Sequence, residues 1–428
     1  MRRILPILGA ILFAAAVVGS QAAERFPPPE FDTHQLPRTM TPGPRADALE
    51  YVDVAALAVA LSLASYLALR RRSRAGLVAL MIASIAYFGF WRKGCICPVG
   101  ATQNVVLAFF DHSYGLPLSV AAFFFLPLVF TLFFGRTFCA AVCPLGAAQD
   151  LVVLRPMQVP RWLDQALRMF AWIYLAAAIL FAAAGSAFVV CQYDPFVAFF
   201  RVSGRLSMLV FGACVLAIGM FVGRPYCRYL CPYGVLLGLC SSFSRWRVTI
   251  TPDVCIQCRL CEESCPFGAI RPAMTEWSGV DRAAGKRLLA ALLVALPLAG
   301  AGVGWLGWRL GPTLARENRT VQLAEQVWQE NAGEAGGISV ASKAYRDAGG
   351  QERSLYAEAL AVEARFTRIS AALGALLGLA FIGELIRFTV RRKQPDYEAE
   401  RIACLACGRC YRYCPRERVR RKPVGIED

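Results

Sequence analysis

The sequence predicts an all-α polytopic membrane protein of about seven transmembrane helices, with a cysteine-rich extramembrane unit split in sequence by the last two helices. Three observations carry this. Over 428 residues, hydrophobic side chains make up 57% and charged ones 18%, and mean hydropathy is +0.46. That leaves too little polar surface to solvate a globule of this length. Apolar runs recur at 51–69, 75–91, 117–134, 169–190, 206–222, 288–308 and 369–388, each long enough, or nearly so, to cross a bilayer. There are 17 Cys but only 2 His. His34 and His112 lie outside the apolar runs and no C-x-x-C-H occurs, which argues against haem and His-based zinc or copper chemistry. Metal chemistry here is thiolate chemistry.

In chain order, residues 1–23 read as a secretory signal. They have a basic start (Arg2, Arg3), an apolar core and a small-residue end at Ser20-Gln21-Ala22. Residues 24–50 are a Pro-rich periplasmic lead-in, and 51–240 form a five-helix membrane domain. The first cysteine-rich half is 241–285, the sixth helix 286–308, and an outer loop subdomain 309–367. The seventh helix is 368–388, and the second half with its basic tail is 389–428. With the mature N-terminus outside, inner segments carry 29 Lys and Arg against 14 in outer ones, so both halves fall in the cytoplasm. The net charge of +16 then belongs to membrane topology, and no nucleic-acid partner is implied. Glu384, the acidic residue in helix seven, is expected to snorkel or to pair with Arg387.

The halves carry two C-x-x-C-x-x-C-x-x-x-C-P runs. One is Cys255, Cys258, Cys261, Cys265; the other is Cys404, Cys407, Cys410, Cys414. Three thiolates at this spacing wrap one [4Fe–4S] cubane, while the fourth, before Pro, serves the other cluster. The expected ligand sets are therefore Cys255, Cys258, Cys261 and Cys414, and Cys404, Cys407, Cys410 and Cys265. Zinc sites rarely use this spacing, and a reducing compartment disfavours disulfides. The unit is a two-cluster bacterial-ferredoxin-like domain.

A second pattern is an internal repeat, G-R-x-[FY]-C-x3-C-P-[LY]-G. It occurs at 135–146 with Cys139 and Cys143, and at 223–234 with Cys227 and Cys231. A shortened cousin at 91–100 carries Cys95 and Cys97. If helical, C-x3-C puts two thiols on one helix face. The two pairs together would make four thiolates at the membrane edge, either a third iron–sulfur centre, a thiolate metal site, or plain packing residues. Cys95, Cys97 and Cys191 form a candidate outer group, readable as a relay metal centre or a disulfide. Cys214 and Cys240 read as packing residues.

At these motifs the chain resembles the NosR/NapH-type membrane polyferredoxins over about 75–275 and 369–415. The resemblance implies electron transfer between a cytoplasmic or quinone-pool donor and a periplasmic respiratory reductase or its maturation system. It implies an electron-transfer component inside a bacterial inner-membrane complex rather than a self-contained enzyme. The implied partners are other redox subunits, a periplasmic reductase, and a cytoplasmic ferredoxin, flavodoxin or quinol. Arg245, Arg247, Arg259, Arg409, Arg412, Arg416 and Arg418 would attract an acidic protein or anionic lipid. The FMN domain of NosR proteins has no counterpart in 24–50, and Ser339 only faintly echoes a flavin-attachment sequence. Two alternatives stay open: a copper-reducing assembly factor similar to the CcoG-type ferredoxins, and a redox-sensing regulator.

Overall fold

The computed structural model describes residues 46–94, 97–201, 206–250, 255–273, 279–334, 337–389 and 396–417. The expected signal sequence, nearly all of the lead-in, Cys95 and the basic tail lie outside the described residues. The chain is mostly helical, and the one sheet among the described residues is a two-residue antiparallel pair, Ile270↔Ala399 and Arg271↔Glu398.

Among the described residues, five helices are long and apolar enough to cross a membrane: Ala48–Leu69, Arg74–Trp91, Arg161–Ala183, Ala283–Ala315 and Glu352–Arg387. Pro195–Arg201 and Leu206–Gly219 together would add a sixth, bent by 105°. Leu118–Phe134 is apolar but short. The structure adds a helix that the apolar runs did not reveal, Pro98–Phe110. Thr102, Gln103 and Asn104 interrupt its hydrophobic pattern, yet Thr102 and Gln103 are buried. Its start is fixed by Pro98 at the first helical position.

Two long helices dominate the second half of the chain, α13 (Gly279–Ala315) and α16 (Glu352–Thr389); α1–α12 are the shorter helices before them. They lie against each other along much of their length. Glycine permits the approach. A Cβ on Gly307 would sit 2.2 Å from the Ser370 carbonyl oxygen, and on Gly378 2.3 Å from that of Ala299. Gly374 is as tight, 2.5 Å from the Val303 carbonyl oxygen. In a lipid solvent such small-residue seams let dispersion contacts and backbone proximity hold helices together. At the far end, α14 (Arg319–Asn331) and α15 (Val340–Asp347) cap the pair. Here Arg346 bridges Glu330 at 3.0 Å and Glu352 at 3.1 Å. Both helices fall within the 309–367 segment. Ser339 is the N-cap of α15, its Oγ accepting from Ser342 N at 3.1 Å, which gives its hydroxyl a structural task.

The near ends of α13 and α16 both return to the cysteine runs. Arg387 pairs with Glu384 at 3.2 Å and also meets Glu400, so the expected Glu384 pair forms and continues into the second run.

The seam makes a direct prediction. Valine at Gly307 or Gly378 forces a methine carbon into a backbone carbonyl, and overpacking of this kind costs about 1–3 kcal/mol or more. The thermal midpoint of the solubilised protein is expected to fall. The same change at Gly302 or Gly383, whose Cβ would meet nothing within 4 Å, is expected to leave it in place.

Candidate functional site

The two cysteine runs build loops of the same backbone shape. Gln257 and Arg259 in the first, and Ala406 and Gly408 in the second, take positive φ values of 53°, 62°, 51° and 74°. They fall two and four residues after the first cysteine of each run. Alternating left-handed residues turn successive N–H groups to one side, forming the concave amide nest that suits thiolates and iron–sulfur clusters. Only Gly408 adopts this shape without steric cost, so the other three are held by their surroundings.

Cys404, Cys407 and Cys410 line one cavity together with Cys265 from the other run. Phe267, Ile270 and Leu405 close it. Burial pushes the Cys404 thiol up to about 12. It raises Cys410 well above the ordinary thiol value, with Cys404, Cys407, Cys265 and Cys261 adding to the effect. Such thiols stay protonated until a metal displaces the proton. Cys261 is raised to about 11 by burial, with Cys255 and Cys258 beside it. Cys414 directly follows α17 (Arg409–Tyr413), which packs on α12 (Leu260–Glu263). Among the described residues no three His, Cys, Asp or Glu side chains converge tightly enough for one metal ion. A cubane instead asks for sulfurs spread around a body several ångströms across, and four cysteines around a shared cavity fit that need.

The repeats do not place their thiols on one continuous helix. In each copy the helix opens into a wide turn. Cys143 N donates to Phe138 O at 3.1 Å and Cys231 N to Tyr226 O at 2.8 Å, both spanning five residues. The second cysteine then becomes the N-cap of a new helix with Pro at its first position, at Pro144–Val152 (α5) and Pro232–Ser242 (α11). Cys97 caps Pro98–Phe110 (α3) in the same way. The condition for two thiols on one helix face, a continuous helix, is not met, because the Cys-Pro junction starts a new axis.

The repeat arginines and glycines serve each other crosswise. A Cβ on Gly146 would lie 3.2 Å from Arg224 Nη1, and one on Gly234 3.4 Å from Arg136 Nη2. Arg136 donates to Ile402 O at 2.9 Å and approaches Cys139 Sγ at 3.8 Å. Arg224, fully buried with φ 50°, donates to the carbonyls of Cys139 and Ala140. Gln149 ties the copies together, donating to Cys227 Sγ at 3.4 Å and accepting from Tyr226 N at 3.0 Å.

Each copy also holds one cysteine run. Arg136 binds the second through Ile402, and Arg228 binds the first through Pro266 O at 3.1 Å and Phe267 O at 3.0 Å. Arg72 and Arg74, in the turn between the first two spans, dock the second run as well. Arg72 pairs with Glu417 at 2.9 Å, and Arg74 donates to Cys407 O at 2.9 Å. At the centre is Asp150, a residue the sequence did not flag. It pairs with Arg224 at 3.3 Å, Arg409 at 3.5 Å, and Arg74. Burial alone would raise its carboxyl, but Arg224, Arg74 and Arg409 outweigh burial and hold it well below the usual carboxylate range. Only its burial marks it, and burial is invisible in one sequence.

Beyond this knot the thiols continue toward the opposite end. Cys143 is close enough to Cys227, Cys97 and Cys139 for their charges to interact, and Cys231 likewise to Cys227, Cys139 and Cys97. Cys97 and Cys191 line a second cavity with Asp194, Arg92, Arg201 and Glu50. Glu50 opens the first long helix, whose other end leads to Arg72 and Arg74. This cavity therefore lies at the end away from the cysteine runs.

Comparison with known proteins agrees with these motifs. The family described as 4Fe-4S binding domain (Fer4_5) matches residues 74–117, 116–161 and 205–251, one match per repeat copy. A second 4Fe-4S binding domain family (Fer4) matches 248–271, over the first run. The putative electron transport protein YccM of Escherichia coli is 30% identical over 156 residues, covering 32% of this chain and 43% of YccM. NirI of Paracoccus denitrificans is 34% identical over 155 residues, covering 33% of this chain and 23% of NirI. The regulatory protein NosR of Pseudomonas aeruginosa is 27% identical over 221 residues, covering 48% of this chain and 30% of NosR. The chain thus spans less than half the length of each of these three. No solved structure matches it. Fold and motifs define a helical membrane protein with 4Fe-4S binding domains. Within that class its matched segments are similar to those of NirI and NosR.

Asp150→Asn leaves three guanidiniums without their shared charge, and breaking a buried pair costs about 3–5 kcal/mol. Denaturation of the purified variant is expected to show that loss. Because the folded carboxyl titrates below the ordinary 3.8, its contribution is complete above that pH and lost as pH falls toward the folded value. Wild type is expected to lose stability on acidification below about pH 4, and Asp150→Asn to show a flatter profile there.

Proposed function

We propose that the chain is a membrane electron-transfer subunit carrying two [4Fe–4S] clusters. Cys404, Cys407, Cys410 and Cys265 would hold one, and Cys255, Cys258, Cys261 and Cys414 the other. The observation that carries this reading is the cavity that Cys265 shares with the three cysteines of the other run. Each cluster supplies one-electron storage at a potential set by burial and hydrogen bonds to sulfur.

The chain's own residues do the rest. Arg136 and Arg228 fix the two runs against the repeats, and Arg74 fixes the Cys407 loop to the start of the second span. Arg224 places a buried positive charge close enough to Cys407, Cys227 and Cys139 to act on all three. There it favours negative charge on each of them. The arginine-rich end, by the positive-inside rule, faces the cytoplasm. Electrons then pass between a donor there, or the quinone pool, and a periplasmic redox partner. Relatives named for electron transport and for methylamine utilization of ferredoxin type support a place in a larger redox system. Two relatives are named regulatory proteins, which favours redox sensing as the second reading.

Anaerobic purification followed by iron and acid-labile sulfide analysis tests the proposal. About 8 Fe and about 8 sulfides per chain are expected, with cubane EPR signals on reduction. Zinc in place of iron would overturn it.

A further inference from the structure

The cavity away from the ferredoxin runs has a chemistry that electron transfer between clusters does not use. Two cysteines from separate helices meet there. Cys97 caps α3, and Cys191 lies in α7 (Val189–Tyr193), which packs on α3. A Cβ added to Gly100 would sit 3.3 Å from Cys191 Sγ. Glycine at this position therefore admits the Cys191 sulfur beside the first turn of the helix that Cys97 caps. The other two repeat copies use the equivalent glycines, Gly146 and Gly234, to admit an arginine instead. Cys191 is exposed and Cys97 half-buried. The Asp194 carboxylate is close enough to Cys97 for their charges to interact, and is itself buried, accepting from Phe196 N at 2.9 Å. The cavity measures about 290 Å³.

We infer that Cys97 and Cys191 form a dithiol/disulfide pair that reduces a disulfide presented at this cavity. The inference rests on the electron-transfer reading, which supplies the reductant, two one-electron iron–sulfur donors. In the charging step the Cys97–Cys191 S–S bond breaks, two electrons and two protons are taken up, and two thiols result. In the exchange step the exposed Cys191 thiolate attacks one sulfur of the incoming disulfide, and the other sulfur leaves as thiolate. Cys97, its proton passing to the thiolate just released, then attacks Cys191 in the mixed disulfide. This re-forms Cys97–Cys191 and releases the second thiol. Two one-electron centres match one two-electron bond.

Full-length protein carrying its clusters is treated anaerobically with oxidised glutathione, alkylated, and mapped by peptide mass spectrometry. The expected result is a Cys97–Cys191 disulfide that reopens when the protein is reduced through the ferredoxin end by a photoreduced flavin. Cys191→Ser and Cys191→Ala are expected to slow glutathione disulfide reduction at least tenfold while leaving the cubane EPR signals unchanged. Full alkylation of Cys97 and Cys191 after glutathione treatment, with intact EPR signals, would overturn the inference alone. So would a disulfide to Cys95 in place of the pair, or an undiminished rate in both Cys191 variants. Absence of cubane signals from wild type would instead overturn the electron-transfer reading, and this inference with it.

Discussion

The structure depends on one close contact between helices. Where α13 crosses α16, Gly307 lies under the Ser370 carbonyl and Gly378 under that of Ala299, at distances no side chain could enter. A single turn of sequence with larger residues would push the helices apart by the width of a methyl group or more. The two cysteine runs are attached to the near ends of these helices, 138 residues apart between Cys265-Pro266 and Cys404. Helix contact therefore converts a long sequence separation into a shared cavity. The strand pair at Ile270 and Ala399 finishes the join with backbone hydrogen bonds.

A second constraint is electrostatic. Arg224 and Asp150 are both fully buried, in surroundings where an unpaired charge is costly. Their solution is a network in which Asp150 answers guanidiniums from three places: the second span, the second repeat copy and the second ferredoxin run. Registration among these parts follows, because any sliding would strand a charge. The crosswise arginine–glycine pairing explains why the repeat reads G-R at its start and G at its end. The closing glycine of each copy is the space into which the other copy's arginine fits.

Much of this was legible in the sequence. The cysteine spacing grouped Cys265 with Cys404, Cys407 and Cys410, because Pro after the fourth cysteine turns it out of its own loop. The repeat could be read as a repeat, but not the use of its arginines, since a side chain's partner across 74 or 85 residues leaves no local trace. Helix Pro98–Phe110 is hidden in the sequence because Gln103, which looks like a loop residue, is buried and accepts from Val190 N at 2.9 Å. The C-x3-C segments do not continue as one helix, for a physical reason. Pro at the following position removes an N–H and opens a new helix there.

The central claim is the exchange of fourth ligands between the runs, and paired cysteine variants test it most directly. Cys265→Ser and Cys404→Ser should perturb the EPR signal and midpoint potential of the same cluster, leaving the other as in wild type. Cys414→Ser and Cys255→Ser should both perturb that other cluster. If Cys265→Ser instead altered the cluster that Cys255→Ser alters, each run would hold its own four thiolates, and the account of the shared cavity would be contradicted.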